Sequence, residues 1–244
     1  MKSVIEKLRN DAEYYTGIGK EYLSNSDIGT LLTNPKEYGV PREDNKAFAE
    51  GRLFHQLILE PEKAVDFHQV DVSTRTTKEY KNFIETMGLP FAMLTKEVEE
   101  VKRLVGIIKG NIAFYDDIYQ PGNIYEEPAI KTIKGMPWKG KADIVTPDYI
   151  IDLKTTSDIN KFKWSAKAYN YDSQCYLYQE LFGKPLYFYV IDKETGVLGI
   201  FRPSENFVKG GEMKVERAIA VYEKYFGKNP TEDIENHYID EILE

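Results

Sequence analysis

Asp143, Asp152 and Lys154 are the residues of this 244-residue chain whose types and spacing suggest chemistry. Two short runs, 141–145 and 150–154, flank Thr146-Pro147-Asp148-Tyr149, whose Pro and Asp suit a turn, so 140–156 reads as a β-hairpin. Folded about the Pro147–Asp148 bond, Asp143 falls opposite Asp152, with Cβ atoms about 4.5–5.5 Å apart. Lys154, two residues on, joins the same face, and Ala142, Ile144, Ile151 and Leu153 are left to face a core. Opposed like charges repel unless something neutralises them, and a divalent cation is the obvious candidate. The hairpin therefore reads as a metal site with a lysine beside it.

The surrounding elements must hold that hairpin. Upstream, the pattern predicts a weakly amphipathic start with Val4, Ile5, Leu8 and Ala12. A short helix through Leu32 follows, capped by Ser24 or Ser26, with Pro35 opening a second helix. A loop at 39–44 precedes a helix over 46–59 that stops at Glu60-Pro61. Inside it His55 follows Gly51 by four residues, which puts bare backbone on the histidine's own face. Alone, such a histidine reads as a packed core residue.

A short strand at 67–72 and helices over 78–87 and 95–109 come next, the last with Val98, Val101, Leu104, Val105 and Ile108 at helical spacing. The run 124–133 reads as a strand with Glu126 and Glu127 before Pro128, so it sits at an edge or carries a bulge. Strand phase does not choose between the two glutamates. With the hairpin it makes three consecutive antiparallel strands. Residues 162–182 read largely as helix, with Gln174 and Tyr178 four apart on one face. A second hairpin, 186–192 with 197–201, leads to a helix over 211–226 whose buried side takes Met213, Val215, Ala218, Val221, Tyr222 and Tyr225.

A hydrophobic content of 42% over this length supports one domain with a substantial core, taken as 1–227, followed by an acidic tail at 228–244. The tail has six acids against one lysine, and is expected either to stay solvated or to dock on a neighbouring subunit. The single cysteine, Cys175, excludes an internal disulfide and any all-cysteine zinc or iron–sulfur site in one chain, and suits a reducing cytoplasm. It reads as a small core residue. No apolar run approaches the roughly 20 residues that span a bilayer, and no signal segment opens the chain, so a soluble, unexported protein is expected. The net charge of −8 argues against a phosphate-rich partner, yet between Lys131 and Lys167 eight lysines face four acids. Local and global sign disagree around the hairpin.

The order Asp, a nine-residue step to Asp, one residue, Lys resembles the core of the PD-(D/E)xK nuclease superfamily. Asp-x-Lys alone is common, but further features narrow the match. Gly140-Lys141-Ala142-Asp143 fits the Gly-x-x-Asp version, and Ile150-Ile151-Asp152-Leu153-Lys154-Thr155-Thr156 fits the form found in RecB-like nucleases. Gln174 and Tyr178 fit the Gln-x-x-x-Tyr helix of that group, and Gly51-Arg52-Leu53-Phe54-His55 its upstream histidine. Leu23-Ser24-Asn25-Ser26, Asn34-Pro35-Lys36-Glu37-Tyr38 and the stretch from Gly51 to Pro61 look like the RecE-type, exonuclease VIII-like branch of phages and prophages.

The resemblance covers roughly Leu23 to Phe226. It implies an α+β fold with an α/β/α restriction-endonuclease-like core, in which a mixed central sheet bearing the catalytic hairpin is flanked by helices. It turns His55 into an expected metal ligand with Asp143, Asp152 and the backbone carbonyl of Leu153. They would hold Mg²⁺, with Mn²⁺ as a substitute and no iron–sulfur cluster. Lys154 would orient or deprotonate the attacking water and stabilise developing charge, while Gln174 and Tyr178 would contact DNA or support Lys154.

The implied activity is a 5′→3′ exonuclease on linear double-stranded DNA. It would act in phage-type recombination in the bacterial host cytoplasm and hand a 3′ overhang to a single-strand annealing protein. A ring-shaped homo-oligomer would then set a basic lining near 131–167 against an acidic exterior. Alternatives are a structure-specific or single-strand endonuclease on the same fold, or a degenerate DNA-binding accessory protein.

Overall fold

The computed structural model describes residues 3–41, 44–64 and 67–240. Five strands form its central sheet: β1 (Ile124–Ile133), β2 (Met136–Val145), β3 (Ile150–Thr156), β4 (Leu186–Asp192) and β5 (Leu198–Phe201), neighbours in that order. The first three pair antiparallel, β3 and β4 run parallel, and β5 returns antiparallel. The sheet is mixed and the fold α+β, as expected. β1 lies at the edge, which is where Pro128 forfeits no ladder bond. β4, at the parallel join, is buried along almost its whole length, and its sequence Leu-Tyr-Phe-Tyr-Val-Ile reads accordingly as one apolar run.

Helices cover both faces. On one, α2 (Lys46–Leu59) and α3 (Thr95–Gly110) pack Leu53, Phe54, Ile58, Val101 and Leu104 on Ile144, Ile151, Leu153 and Ile191. On the other, α4 (Tyr171–Phe182) brings Cys175 down on Phe188 and Val190, and its Leu177 onto Trp138. Outside α4 lie α1 (Asn25–Thr33) and α5 (Glu205–Tyr225), supplying Ile28, Leu31, Val215 and Ala218. Cys175 is a buried core residue whose thiol is pushed up by burial. Among the described residues no helix is long and apolar enough to cross a membrane.

Several local expectations need correction. The helix over 162–182 is broken: Asn170 takes a left-handed conformation (φ 58°), separating a helix at Phe162–Ala168 from α4. The strand at 67–72 shrinks to Gln69–Val70, paired parallel with Met93–Leu94. A helix at Ile112–Tyr119, capped by Asn111, goes unannounced by the pattern. α5 starts earlier than its apolar spacing suggested, at a Ser204 cap, and Met213 on it is exposed. Ala142 packs with Cys175 and Phe188 on the α4 side, not with Ile144 and Leu153, because the pleat is interrupted between them at Asp143.

The described part of the tail, 228–240, is largely exposed to solvent, Tyr238 and Ile239 included. It lies back on its own chain: the amides of Thr231 and Glu232 donate to Lys224 O, and Lys36 Nζ donates to Glu235 O at 3.0 Å. Residues 241–244 of that tail, like Met1 and Lys2 and part of the 39–44 loop, lie outside the described residues.

Candidate active site

The site is a wedge between β2 and β3. Their ladder holds only two residue pairs, Val145 with Ile150 and Ile144 with Ile151, before the strands part. Continued, that register would oppose Asp143 and Asp152, as the hairpin fold predicts, but pairing stops one step short. The far half of β2 takes another partner: Leu23 N donates to Pro137 O at 3.0 Å, and Lys139 N to Leu23 O at 2.8 Å. Leu23 thus occupies the flank of β2 that β3 leaves.

Parting strands strand backbone groups, and buried ones must find partners. Leu153 N donates to Asp143 Oδ2 at 2.7 Å, and Leu153 O lies 2.9 Å from His55 Nε2. His55 Nε2 is also 3.3 Å from Asp143 Oδ2. α2 delivers His55 from one face of the sheet, and Gly51, one turn earlier, faces open space.

From the opposite face α4 delivers Gln174, whose Nε2 donates to Asp152 Oδ1 at 2.6 Å. Asp152 Oδ2 pairs with Lys154 Nζ at 2.5 Å, and that ammonium lies 5.1 Å from the Tyr171 ring centroid. Asp152 is buried, and burial pushes its carboxyl up, with Lys154 pulling against it. Burial alone would lower Lys154, but Asp152, Tyr171 and Asp143 outweigh it, so its ammonium stays charged near neutral pH.

Tyr178 donates its hydroxyl to Lys141 O at 2.9 Å, bracing β2. It supports the strand that carries Asp143, not Lys154. Gly140 is needed for this approach, since a Cβ there would lie 2.7 Å from Leu181 Cδ1 and 3.1 Å from Tyr178 Cε2.

The start of α4 is fastened from afar. Asn25 Nδ2 donates to Asn170 O at 3.2 Å, and Ser173 Oγ donates to Asn25 Oδ1 at 2.7 Å. This gives the Leu23-Ser24-Asn25-Ser26 stretch a physical role: Leu23 props the wedge open while Asn25 anchors the helix that carries Gln174.

Of the two glutamates in β1, Glu126 belongs to the site's electrostatics. It sits between the pairs Tyr125–Ile144 and Glu127–Ala142, at the level of Asp143, with φ 48°. A non-glycine residue there costs of order 1 kcal/mol or more, and such strain gathers at functional sites. Burial first and Asp143 second push its carboxyl up to about 7, with His55 and Lys141 opposing. Glu127 is held by Arg9 at 2.5 Å. The signal that sequence reading lacked was backbone conformation. Tyr171 was missed too, although its position three residues before Gln174 on one helix marked it out.

A hard divalent ion suits part of this donor set. In octahedral coordination with bonds of about 2.0–2.1 Å, neighbouring ligand atoms are roughly 3 Å apart. His55 Nε2 stands at 2.9 and 3.3 Å from Leu153 O and Asp143 Oδ2. Among the described residues no three His, Cys, Asp or Glu side chains converge as a ready cage. The Leu153 carbonyl would be a third donor beside His55 and Asp143, while Asp152 Oδ2 is engaged by Lys154.

The lysines between 131 and 167 do not make an open basic lining. Lys131 pairs with Glu180, Lys134 with Glu212 and Glu216, Lys141 with Asp11, and Lys161 with Asp158. Lys139 is buried, donating to Tyr14 O at 2.6 Å. Acids distant in sequence neutralise three of the eight lysines, Lys131, Lys134 and Lys141, and local acids hold Lys154 and Lys161.

A mixed sheet sandwiched by helices, with a parted hairpin carrying Asp143, Asp152 and Lys154, defines a PD-(D/E)xK nuclease fold. The chain belongs to the PDDEXK-like domain family of unknown function DUF3799, which matches residues 30–229. The crystal structure of a suggested exonuclease from Eubacterium rectale superposes with a TM-score of 0.63 over 96% of both chains. At 18% identity this likeness speaks for the fold alone. The crystal structure of SSO0001 covers 68% of this chain and 85% of its own, at 16% identity and a TM-score of 0.32, too low to argue from. No curated protein matches the sequence.

Proposed function

We propose that this protein is a Mg²⁺-dependent deoxyribonuclease, a 5′→3′ exonuclease on linear duplex DNA in phage-type recombination. In this reading it works with a single-strand annealing protein and as a homo-oligomer. Residues 1–227 form the catalytic unit, with 228–244 as an appendage. The observation that carries the reading is the wedge, where His55, Asp143 and the Leu153 carbonyl meet on one side and Asp152 and Lys154 on the other. The description of the Eubacterium rectale protein of like fold as a suggested exonuclease is in keeping with attack from an end.

His55, Asp143, Asp152 and the Leu153 carbonyl would hold the ion, which supplies Lewis-acid stabilisation of phosphoryl oxygens and an acidified water. Gln174 fixes one oxygen of Asp152 and so decides which oxygen is left to turn toward the ion. Lys154, charged and one residue past Leu153, places a cation where negative charge develops on the scissile phosphate. Tyr178 and Gly140 hold β2 and α4 close together, so that Asp143 on the strand and Gln174 on the helix keep their places on either side of the wedge.

Linear duplexes labelled at the 5′ or 3′ end, incubated with Mg²⁺ or with chelator, test the reading. Mononucleotide release from the 5′-labelled end, in Mg²⁺ only and never from closed circular DNA, is expected. Cleavage of the circle would favour the endonuclease alternative, and no cleavage of any DNA, despite metal binding, would sink the nuclease reading.

A further inference from the structure

The helix at Phe162–Ala168 buries Phe162 and Ala166 and turns Trp164 outward, 64% exposed, with Tyr169 just past its end 67% exposed. A large aromatic left in water forgoes roughly 1.5–3 kcal/mol of burial, and two of them exposed within six residues point to a surface with a use. The charge around them is positive. Lys163 lies 4.1 Å from the Trp164 ring centroid, and Lys167 is exposed on the next turn. Lys161 is neutralised by Asp158 at 3.0 Å, but among the described residues neither Lys163 nor Lys167 has a carboxylate partner.

The surface is continuous with the site and rigidly held. Tyr169 contacts Tyr171 at 5.9 Å between ring centroids, and Tyr171 carries the Lys154 ammonium at 5.1 Å. Two short steps therefore lead from an exposed ring to the charged lysine of the wedge. Lys214 Nζ donates to Lys167 O, Asn170 Oδ1 and Asp172 Oδ1 at 2.7, 2.9 and 2.8 Å, pinning the turn that presents Tyr169.

Exposed aromatic faces with uncommitted lysines, fixed in place beside a phosphodiester-cleaving centre, match the chemistry of an unpaired strand. Every base has a face to stack, and every linkage carries a negative charge. We propose that Trp164 and Tyr169, with Lys163 and Lys167, form a stacking platform for single-stranded DNA at the mouth of the wedge. The proposal rests on the deoxyribonuclease reading and adds to it the form of DNA at this position: unstacked bases, not closed duplex.

Trp164 makes the test direct, because the only other tryptophan, Trp138, is fully buried. Fluorescently end-labelled oligo(dT) is titrated with the full-length protein in chelator, following the anisotropy of the label in every variant and tryptophan fluorescence where Trp164 is kept, while duplex degradation in Mg²⁺ is assayed separately. Quenching is expected in the wild type. Trp164→Ala and Tyr169→Ala should each weaken oligo(dT) binding about ten-fold or more, with Trp164→Phe and Tyr169→Phe restoring most of it. Lys163→Ala and Lys167→Ala should each flatten the salt dependence of binding. Unchanged affinity in both alanine variants, with duplex degradation intact, would overturn the platform and leave the nuclease reading standing. Unchanged affinity with a shifted sedimentation coefficient in Trp164→Ala would overturn it by assigning the patch to a protein interface. If the wild type neither binds oligo(dT) nor degrades DNA, both fall together.

Discussion

Asp143 accepts the Leu153 amide at 2.7 Å, so the carboxylate expected to oppose Asp152 across a ladder instead holds open the end of that ladder. The two aspartates are thereby divided: Asp143 works with His55 on the α2 side, and Asp152 with Lys154 and Gln174 on the α4 side. Repulsion is reduced by geometry and by separate partners.

Removing Lys154 should have two separable effects. Lys154→Ala takes away the cation at the scissile phosphate, and nuclease turnover should fall by at least about 10²-fold. It also leaves Asp152 buried without its ion pair, which typically costs about 3–5 kcal/mol. Thermal melts in chelator should show that loss, and Asp152→Asn in the same chain should recover part of it. A fully active Lys154→Ala protein would remove the lysine from the mechanism.

Metal binding should be visible without any substrate. Mn²⁺ or Mg²⁺ at about 100 times its dissociation constant should stabilise the protein by about 2.7 kcal/mol, and chelator should abolish the gain. His55→Ala should weaken Mn²⁺ binding measured by calorimetry by about ten-fold or more. Equal heats for the wild type and the variant would exclude His55 as a ligand.

Gly140→Ala is a steric test of how α4 is seated. A methyl group 2.7 Å from Leu181 Cδ1 and 3.1 Å from Tyr178 Cε2 must displace those side chains of α4 or the helix that carries them, at a cost of about 1–3 kcal/mol. Because Gln174 rides on α4, turnover should drop beyond what lost stability explains. Unfolding midpoints and single-turnover rates measured on the same sample separate the two. A variant with wild-type values of both would mean that the strand absorbs the methyl.

Acid stability should depend on Glu97, remote from the site. Burial raises its carboxyl, but Arg75, bonded through both guanidinium nitrogens at 3.0 and 2.5 Å, the Leu94 amide and Lys46 outweigh it and leave it lowered. A carboxylate lowered by folding contributes its full stabilisation above its unfolded value, about 4.3, and loses it as pH falls through the folded value. Glu97→Gln should therefore be less stable than the wild type at pH 7, with the gap closing as the pH drops below about 4. A gap that is constant with pH would show that packing, not charge, is what Glu97 contributes.

The sequence by itself determined the hairpin, the bounds of α2, the choice of edge or bulge for β1, and the type and spacing of Asp143, Asp152, Lys154 and Gln174. These are local signals: alternation, caps and turn residues act over a few positions, and they survive folding unchanged. What only tertiary structure decided depends on partners far apart in the chain. Leu23, over a hundred residues upstream, bridges β2 at Trp138 on the flank that β3 leaves, which no reading of 140–156 alone could foresee. The left-handed turns at Glu126 and Asn170 bring one glutamate toward Asp143 and split an apparently continuous helix, because contacts from Asn25 and Lys214 outweigh local helix preference. Three lysines of the basic stretch, Lys131, Lys134 and Lys141, lose their free charge to Asp11, Glu180, Glu212 and Glu216, since ion pairs form by proximity in space and not in sequence. His55 shows the division most plainly: its helix was legible, but its purpose rests on a backbone carbonyl ninety-eight residues away.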